Sequence, residues 1–180
     1  MSNAADEDLC ARLVGQSLPS VRLSSTAGDP IDLASQGANR IVIYCYPRTS
    51  EPGKPAPTDW DLIPGARGCT PQSCAFRDHH QELRSLGAEV FGLSTQTTAY
   101  QSEMATRLHL PFPVLSDHAL DFARALALPT FAVDGERLIR RLTIIARDRH
   151  IETVLYPIPK PEENAEDVLA WLRAHPVDPA

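Results

Sequence analysis

Hydrophobic residues occur along this chain in short runs that alternate with polar segments rich in proline and turn-forming residues. The most continuous run covers residues 41–46, where apolar, β-branched and aromatic side chains follow one another until Pro47. A run without polar positions is typical of a strand buried on both faces of a sheet. Shorter runs predict further strands at 21–23, 31–33, 89–93, 114–115, 131–133, 138–146 and 151–156.

Apolar residues spaced three and four positions apart predict helices between these strands. They cover residues 71–86, 98–108 and 119–128, and a last helix begins at Pro161. Thr70 is expected to cap the first of them. Helices placed between the early strands imply parallel pairing, and the later hairpins imply antiparallel pairing. We therefore predict an α/β fold with a central mixed β-sheet flanked by helices on both faces.

Two segments fall outside this pattern. Residues 48–68 contain four prolines and predict a long proline-rich loop. Residues 1–10 are mostly polar and acidic, lack the basic and apolar stretches of a signal peptide, and are expected to be flexible. Because no linker or internal repeat divides the chain, we expect a single domain over residues 1–180.

Composition narrows the functional class. The 180 residues carry a formal net charge of −6. A negative field repels phosphate backbones, so we expect no nucleic-acid partner. The apolar runs are far shorter than the ~20 residues of a membrane-spanning helix, so we expect no membrane partner and a cytoplasmic location. Four cysteines are too few for a disulfide framework, and the close spacing of Cys69 and Cys74 suggests redox chemistry or metal binding.

Cys69 lies where the first predicted helix begins, and Cys74 follows five positions later. The unpaired N–H groups and positive dipole end of a helix start favour thiolate, the reactive form of cysteine. Position alone therefore makes Cys69 a candidate nucleophile. On an intact helix, five residues advance ~7.5 Å along the axis and point to different faces. A disulfide between the two cysteines thus requires the helix start to unwind, which predicts a cycle between a folded and a locally unfolded state.

The segment GCTPQSCAFRD at residues 68–78 resembles the active-site segment of peroxiredoxins, in particular the Q-type or bacterioferritin-comigratory group. Other segments resemble the same family in the same order along roughly residues 13–156. They are Tyr46-Pro47, GLS at 92–94, LPFPVLSD at 110–117 and RLTII at 141–145.

This resemblance implies a thioredoxin-like fold and a thiol-dependent peroxidase that reduces hydrogen peroxide and organic hydroperoxides. Cys69 corresponds to the peroxidatic cysteine, which becomes a sulfenic acid, and Cys74 to the resolving cysteine, which joins it in an intramolecular disulfide. Arg141 corresponds to the family's active-site arginine. A thioredoxin-like dithiol is the implied reductant. No cofactor or metal is implied, and a monomer or weak homodimer is expected.

The chain departs from the family pattern before the nucleophile. The family carries a proline and a threonine shortly before it, whereas here Ala66 occupies the threonine position and Pro47 lies 22 residues upstream of Cys69. Since the threonine hydroxyl normally contacts peroxide, Pro47 and Thr49 (or Ser50) are predicted to line the substrate pocket instead. The extra residues of the 48–68 loop are predicted to form a lid over the nucleophile, or an interface.

Other interpretations stay open at this point. Cys69 and Cys74 could be structural, or could bind a metal with His79 and His80, although this spacing fits zinc poorly. The same cysteine chemistry could serve a peroxide sensor or relay, or a thioredoxin-like disulfide oxidoreductase, whose cysteines normally stand closer together. A binding module that shares the fold is the non-enzymatic alternative.

Three further residues are assigned by position. Cys45 lies within the central strand and is expected to be a small core residue. Cys10, near the start of the chain, is expected to be an exposed free thiol. Arg140 and Arg141 are neighbours on a predicted strand, so one is expected to face the pocket and the other the solvent.

Overall fold

The protein, described over residues 4–177 by a computed structural model, folds around a central β-sheet. The strands are β1 (Arg22–Ser25), β2 (Ile31–Asp32), β3 (Arg40–Cys45), β4 (Ala88–Ser94), β5 (Val114–Ser116), β6 (Thr130–Val133), β7 (Glu136–Ile139), β8 (Leu142–Arg147) and β9 (His150–Leu155). The helices are α1 (Ala4–Leu13), α2 (Cys69–Asp78), α3 (His80–Ser85), α4 (Thr98–Arg107), α5 (Asp121–Leu126) and α6 (Asn164–Ala174).

The main sheet has the strand order β2-β1-β5-β4-β3-β8-β9, and β6 and β7 pair separately. β3, β4 and β5 run parallel to one another, whereas β8 and β9 join by antiparallel pairing. The predicted mixed sheet is therefore confirmed, including its change from parallel to antiparallel strands. Between residues 4 and 177, none of the helices combines the length and the apolar character needed to cross a membrane.

Alternating side chains of β3 enter two hydrophobic layers, one on each face of the sheet. Ile41, Ile43 and Cys45 pack in the layer covered by α1 and α5. Val42 and Tyr44 pack in the layer covered by α2, α3, α4 and α6. Helices thus flank both faces as predicted, and Cys45 is the fully buried core residue that its position in the strand indicated.

The expectation that residues 1–10 are flexible is wrong for residues 4–10, which belong to α1; residues 1–3 lie outside the described part of the chain. Cys10 and Leu13 are three positions apart, so they share a helix face and pack into the core. The carboxylate of Asp6 forms an ion pair with Arg140 at 3.0 Å. The sequence analysis missed the packing of Cys10 and Leu13 because the segment before them is mostly polar and acidic.

The strand predicted over 138–146 is interrupted at Arg140 and Arg141. β7 pairs with β6, whereas β8 pairs with β3 and β9, so the chain changes sheets between the two strands. The two arginines lie at this junction instead of within a strand. The expectation that one arginine faces the pocket and the other the solvent is wrong for Arg140, because both side chains line one cleft and Arg140 pairs there with Asp6.

The helix predicted over 71–86 begins two residues earlier and divides into α2 and α3 around His79. Gly68, not Thr70, precedes the first turn, in a left-handed conformation with φ of 100°. A Cβ atom at Gly68 would lie 2.6 Å from the Cγ atom of Pro161. A glycine is therefore required at this position both by the backbone conformation and by the close approach of the segment that precedes α6.

We expect Gly68→Ala to reduce the free energy of unfolding, because the new methyl group needs both a left-handed backbone and space that Pro161 occupies. Gly53→Ala is the matched control, because Gly53 also has a positive φ of 81° but a methyl group there would meet no other atom within 4 Å. Denaturant unfolding should show that Gly68→Ala costs about 1–3 kcal/mol more than the control. Equal losses in both variants would contradict the proposed steric role of Pro161.

Candidate active site

Cys69 is the first residue of α2, and its side chain is 4% exposed. Since Gly68 precedes it with no side chain, the backbone N–H groups of the first turn receive no side-chain cap. The sulfur lies 3.1 Å from Nη2 of Arg141 and 3.6 Å from the carbonyl oxygen of Ala66. The structure therefore places a cysteine sulfur at a helix start and in contact with a guanidinium group, two features that stabilise negative charge on sulfur.

Arg141 is held in place by an array of acceptors. Its Nε and Nη2 atoms donate to the carbonyl oxygens of residues 65–67 at 3.2, 3.0 and 2.9 Å, and Nη1 donates to Oε1 of Gln72. The side chain is 3% exposed. None of the ion pairs found within residues 4–177 involves Arg141. A buried cation without a carboxylate partner favours a negative charge on the neighbouring sulfur.

The two adjacent arginines have separate environments. Arg141 contacts Cys69, whereas Arg140 pairs with Asp6 and lies over the ring of Phe131 at 4.7 Å. The structure thus joins Cys69 to the arginine that the sequence analysis selected. It also provides a matched control residue immediately next to it in the chain.

Cys74 lies on α2, is partly exposed, and is a free thiol like the other three cysteines. Residues 69–78 form an unbroken helix, so the structure represents the state in which the two cysteines cannot be bonded. A cation also lies near Cys74. The pKa of Arg77 is raised, first by its hydrogen bond to Asp78 and also by a hydrogen bond with Cys74.

Comparison with known proteins identifies the family to which this arrangement belongs. The family model described as Redoxin matches residues 13–169. The chain belongs to the redoxin family.

Individual redoxins extend the similarity. Chloroplastic peroxiredoxin Q of Arabidopsis thaliana is 26% identical over 160 residues, which cover 89% of this chain and 67% of that protein. The crystal structure of peroxidoxin BcpB from Mycobacterium tuberculosis matches with a TM-score of 0.73 and 24% identity, over 91% of this chain and 98% of that chain. A structure of the Xanthomonas campestris bacterioferritin comigratory protein, described together with its alkyl peroxide reduction activity, has a TM-score of 0.68 and 23% identity, over 88% of this chain and 96% of that chain. The resemblance to Q-type peroxiredoxins and the thioredoxin-like fold are both confirmed.

Pro47 and Thr49 are the residues predicted to take the place of the family's threonine in the substrate pocket. Pro47 is buried at the end of the central strand. Thr49 is 2% exposed, and its hydroxyl donates to Oε1 of Gln96 at 3.3 Å, while Gln96 also binds both backbone groups of Thr49. Among the hydrogen bonds of the described residues, none joins Thr49 to Cys69. The assignment of Pro47 and Thr49 to the substrate pocket stays a prediction.

The proline-rich loop at 48–68 forms a loop as predicted, with one short helical turn at Trp60–Leu62. Its last residues, 65–67, bind Arg141 through their carbonyl oxygens and so enclose the guanidinium group. Gly65 and Arg67 also line a cleft of about 770 Å³, to which residues 156–159 contribute as well. Leu62, in contrast, is 77% exposed. The loop thus covers Arg141 only by its final segment, and the proposed lid over Cys69 stays a prediction.

Sequence reasoning missed a polar group behind Arg141. Gln72, Thr143 and Asn164 are all 0% exposed and linked by hydrogen bonds. Gln72 follows Cys69 by three positions, so helical spacing was a usable signal for it. Asn164 lies 92 positions from Gln72, and no local pattern indicates their contact.

The remaining cysteines are poorly suited to nucleophilic chemistry. Cys10, expected to be exposed, is 4% exposed because α1 packs on the sheet. Burial, and to a lesser extent the neighbouring Asp6, raises the pKa of Cys10 to about 12. Burial also raises the pKa of Cys45. No three potential metal-binding side chains cluster anywhere in residues 4–177.

The raised pKa of Cys10 predicts a loss of stability in alkaline solution. The unfolded chain loses this proton near the ordinary pKa of 9.0, while the folded protein keeps it until about 12. Between these values the unfolded state binds fewer protons, so the free energy of unfolding falls as pH rises, by at most about 1.4 kcal/mol per pH unit from this group. Below pH 9.0 the stabilisation is fully present.

Denaturant unfolding across this pH window, under reducing conditions, measures the effect. Cys10→Ala should show a shallower decline than the wild-type protein, and Cys74→Ala, which changes a partly exposed thiol, serves as the control. An identical pH dependence in the Cys10→Ala variant and the wild-type protein would show that the buried thiol does not contribute.

Proposed function

We propose that this redoxin is a thiol-dependent peroxidase that reduces hydrogen peroxide and organic hydroperoxides. The observation that carries the proposal is the contact at 3.1 Å between the Cys69 sulfur and Arg141, a buried cation with no carboxylate partner among the described ion pairs. The similarity to peroxiredoxin Q and to a protein with alkyl peroxide reduction activity supports the same reaction.

The first step is attack of the Cys69 thiolate on one oxygen of the hydroperoxide. The O–O bond breaks as an S–O bond forms, and the sulfur becomes a sulfenic acid. The leaving oxygen departs with the bonding electron pair and takes up a proton to give water or an alcohol. Arg141 contributes a permanent positive charge and directed N–H groups, which stabilise the negative charge that moves from sulfur to the leaving oxygen.

The second step forms an intramolecular disulfide. The Cys74 sulfur attacks the Cys69 sulfenic sulfur, an S–S bond forms, and the hydroxyl group leaves as water. This step requires the first turns of α2 to unwind, because the intact helix holds the two side chains on different faces. A thioredoxin-like dithiol then supplies two electrons and two protons to restore both thiols.

We propose that this cycle operates in the cytoplasm, where free thiols persist.

The roles of the two cysteines can be tested by mass spectrometry after one equivalent of hydrogen peroxide. In the wild-type protein, Cys69 and Cys74 should together lose two hydrogen atoms, while Cys10 and Cys45 stay reduced because they are buried in the opposite layer. Cys69→Ser should consume no peroxide. Cys74→Ser should react once and accumulate a Cys69 sulfenic acid, which a dimedone-type probe captures. Continued peroxide consumption by Cys69→Ser would refute the assignment.

The role of Arg141 can be separated from general charge effects by comparison with its neighbour. Arg141→Met keeps an unbranched apolar stem but removes the charge and the N–H donors beside the sulfur, so the second-order rate with peroxide should fall roughly 100-fold or more. Arg140→Met, which removes the same charge next to Asp6, should stay within about threefold of the wild-type rate. Equal rates in the two variants would contradict a specific role for Arg141.

A further inference from the structure

Asn164, the first residue of α6, has an unusual hydrogen-bond environment. Its side chain is 0% exposed, and its Oδ1 atom accepts from Nε2 of Gln72 at 2.9 Å and from Oγ1 of Thr143 at 2.8 Å. Its Nδ2 atom has no hydrogen-bond partner within the described chain. An unpaired buried amide donor costs about 1–3 kcal/mol, so the Asn164 side chain contributes through its oxygen, which accepts both hydrogen bonds.

The direction of this network is fixed by Arg141. A guanidinium group can only donate hydrogen bonds, so the Gln72 amide must turn Oε1 toward Nη1 of Arg141. Nε2 of Gln72, also a donor, then points toward Asn164 and requires an acceptor there. Oδ1 of Asn164 supplies that acceptor, and the Thr143 hydroxyl donates to the same oxygen. If the Asn164 amide were reversed, its Nδ2 donor would face the Nε2 donor of Gln72, and no acceptor would lie between them.

We infer that Asn164 is a positioning residue for the peroxidase reaction, acting on Arg141 through Gln72. It contacts neither the Cys69 sulfur nor the guanidinium group; instead it fixes the rotamer and the amide orientation of the residue that receives Nη1 of Arg141. The inference rests on the proposed function, because it assigns Asn164 a role in presenting the Arg141 donors to the reacting oxygen.

The three residues of this network lie on different helices and strands. Asn164 belongs to α6, Thr143 to β8, and Gln72 to α2. α6 contributes several side chains to the hydrophobic layer that also contains Val42 of β3 and Ile145 of β8, so the acceptor oxygen belongs to an element packed in the same layer as the sheet. Gln72, in contrast, lies on the helix that must unwind when the disulfide forms. The Asn164 oxygen therefore belongs to an element outside the helix that must unwind.

The test compares two reactions of Cys69 in the same variants. Alkylation by iodoacetamide requires a thiolate and access, whereas reaction with hydrogen peroxide also requires donors aimed at the leaving oxygen. Both rates are measured at a pH where the alkylation rate of each variant no longer rises, so that differences in the ionisation of Cys69 cancel. All variants also carry Cys74→Ser as a common background. For Asn164→Leu, which removes the acceptor, the ratio of peroxide rate to alkylation rate should fall roughly tenfold.

Three further variants make the test specific. Asn164→Asp keeps an acceptor oxygen in either protonation state and should restore the ratio to within about threefold of the background protein. Val168→Ala, in the same helix and layer, reduces packing without touching the network and should leave the ratio unchanged even if stability falls. Gln72→Leu combined with Asn164→Leu should show the same ratio as Gln72→Leu alone, since the action of Asn164 passes through Gln72.

Each result distinguishes the hypotheses. If the background protein does not react with peroxide, the proposed function fails. If it reacts and Asn164→Leu has an unchanged ratio, or if Val168→Ala lowers the ratio equally, the positioning role of Asn164 is overturned. Should Asn164→Leu fail to fold, Asn164→Ala removes the same acceptor without introducing a larger apolar group, and the same ratio decides the matter.

Discussion

A buried guanidinium group with no carboxylate to neutralise it is the constraint on which the site depends. Arg141 needs acceptors for its N–H groups and a counter-charge, and the chain provides them from three places: the carbonyl oxygens of residues 65–67, the amide of Gln72 and the sulfur of Cys69. Because the carbonyls and the amide are neutral, the sulfur is the one contacting atom that can become an anion. The sulfur of Cys69 is therefore the atom of this set that can carry the counter-charge of Arg141.

The same constraint orders the end of the proline-rich loop. A loop of this length would ordinarily leave many backbone carbonyls to the solvent, but residues 65–67 turn theirs inward to Arg141. Ala66 is one of these three residues; it stands at the position where the family carries threonine and is fully buried. The long connection between β3 and α2 therefore ends in a segment whose carbonyl oxygens accept from the arginine, and Cys69 follows three residues after Ala66.

The sequence predicted those parts of the molecule whose signals are local. Residues 41–46 lack a polar position, and the strand they predict is the buried centre of the sheet. Cys69 was placed at a helix start because Pro71 and the following apolar spacing mark one. The break between β7 and β8 was missed because an arginine pair within an apolar run is compatible with a strand, and the change of sheets depends on distant partners. Asn164 was missed for the same reason, because its role depends on a contact 92 positions away.

The proposed catalytic cycle has two opposing requirements for α2. Attack on peroxide needs the first turns of the helix intact, because they hold Cys69 against Arg141 and Gln72 between Arg141 and Asn164. Disulfide formation needs the same turns to unwind and so breaks these contacts together. In the proposed cycle a neutral sulfenic acid replaces the attacking thiolate beside Arg141, which weakens the contact that holds the helix start in place. The carbonyl oxygens of residues 65–67, which accept from Arg141, belong to a segment outside α2, so these contacts do not require the helix itself.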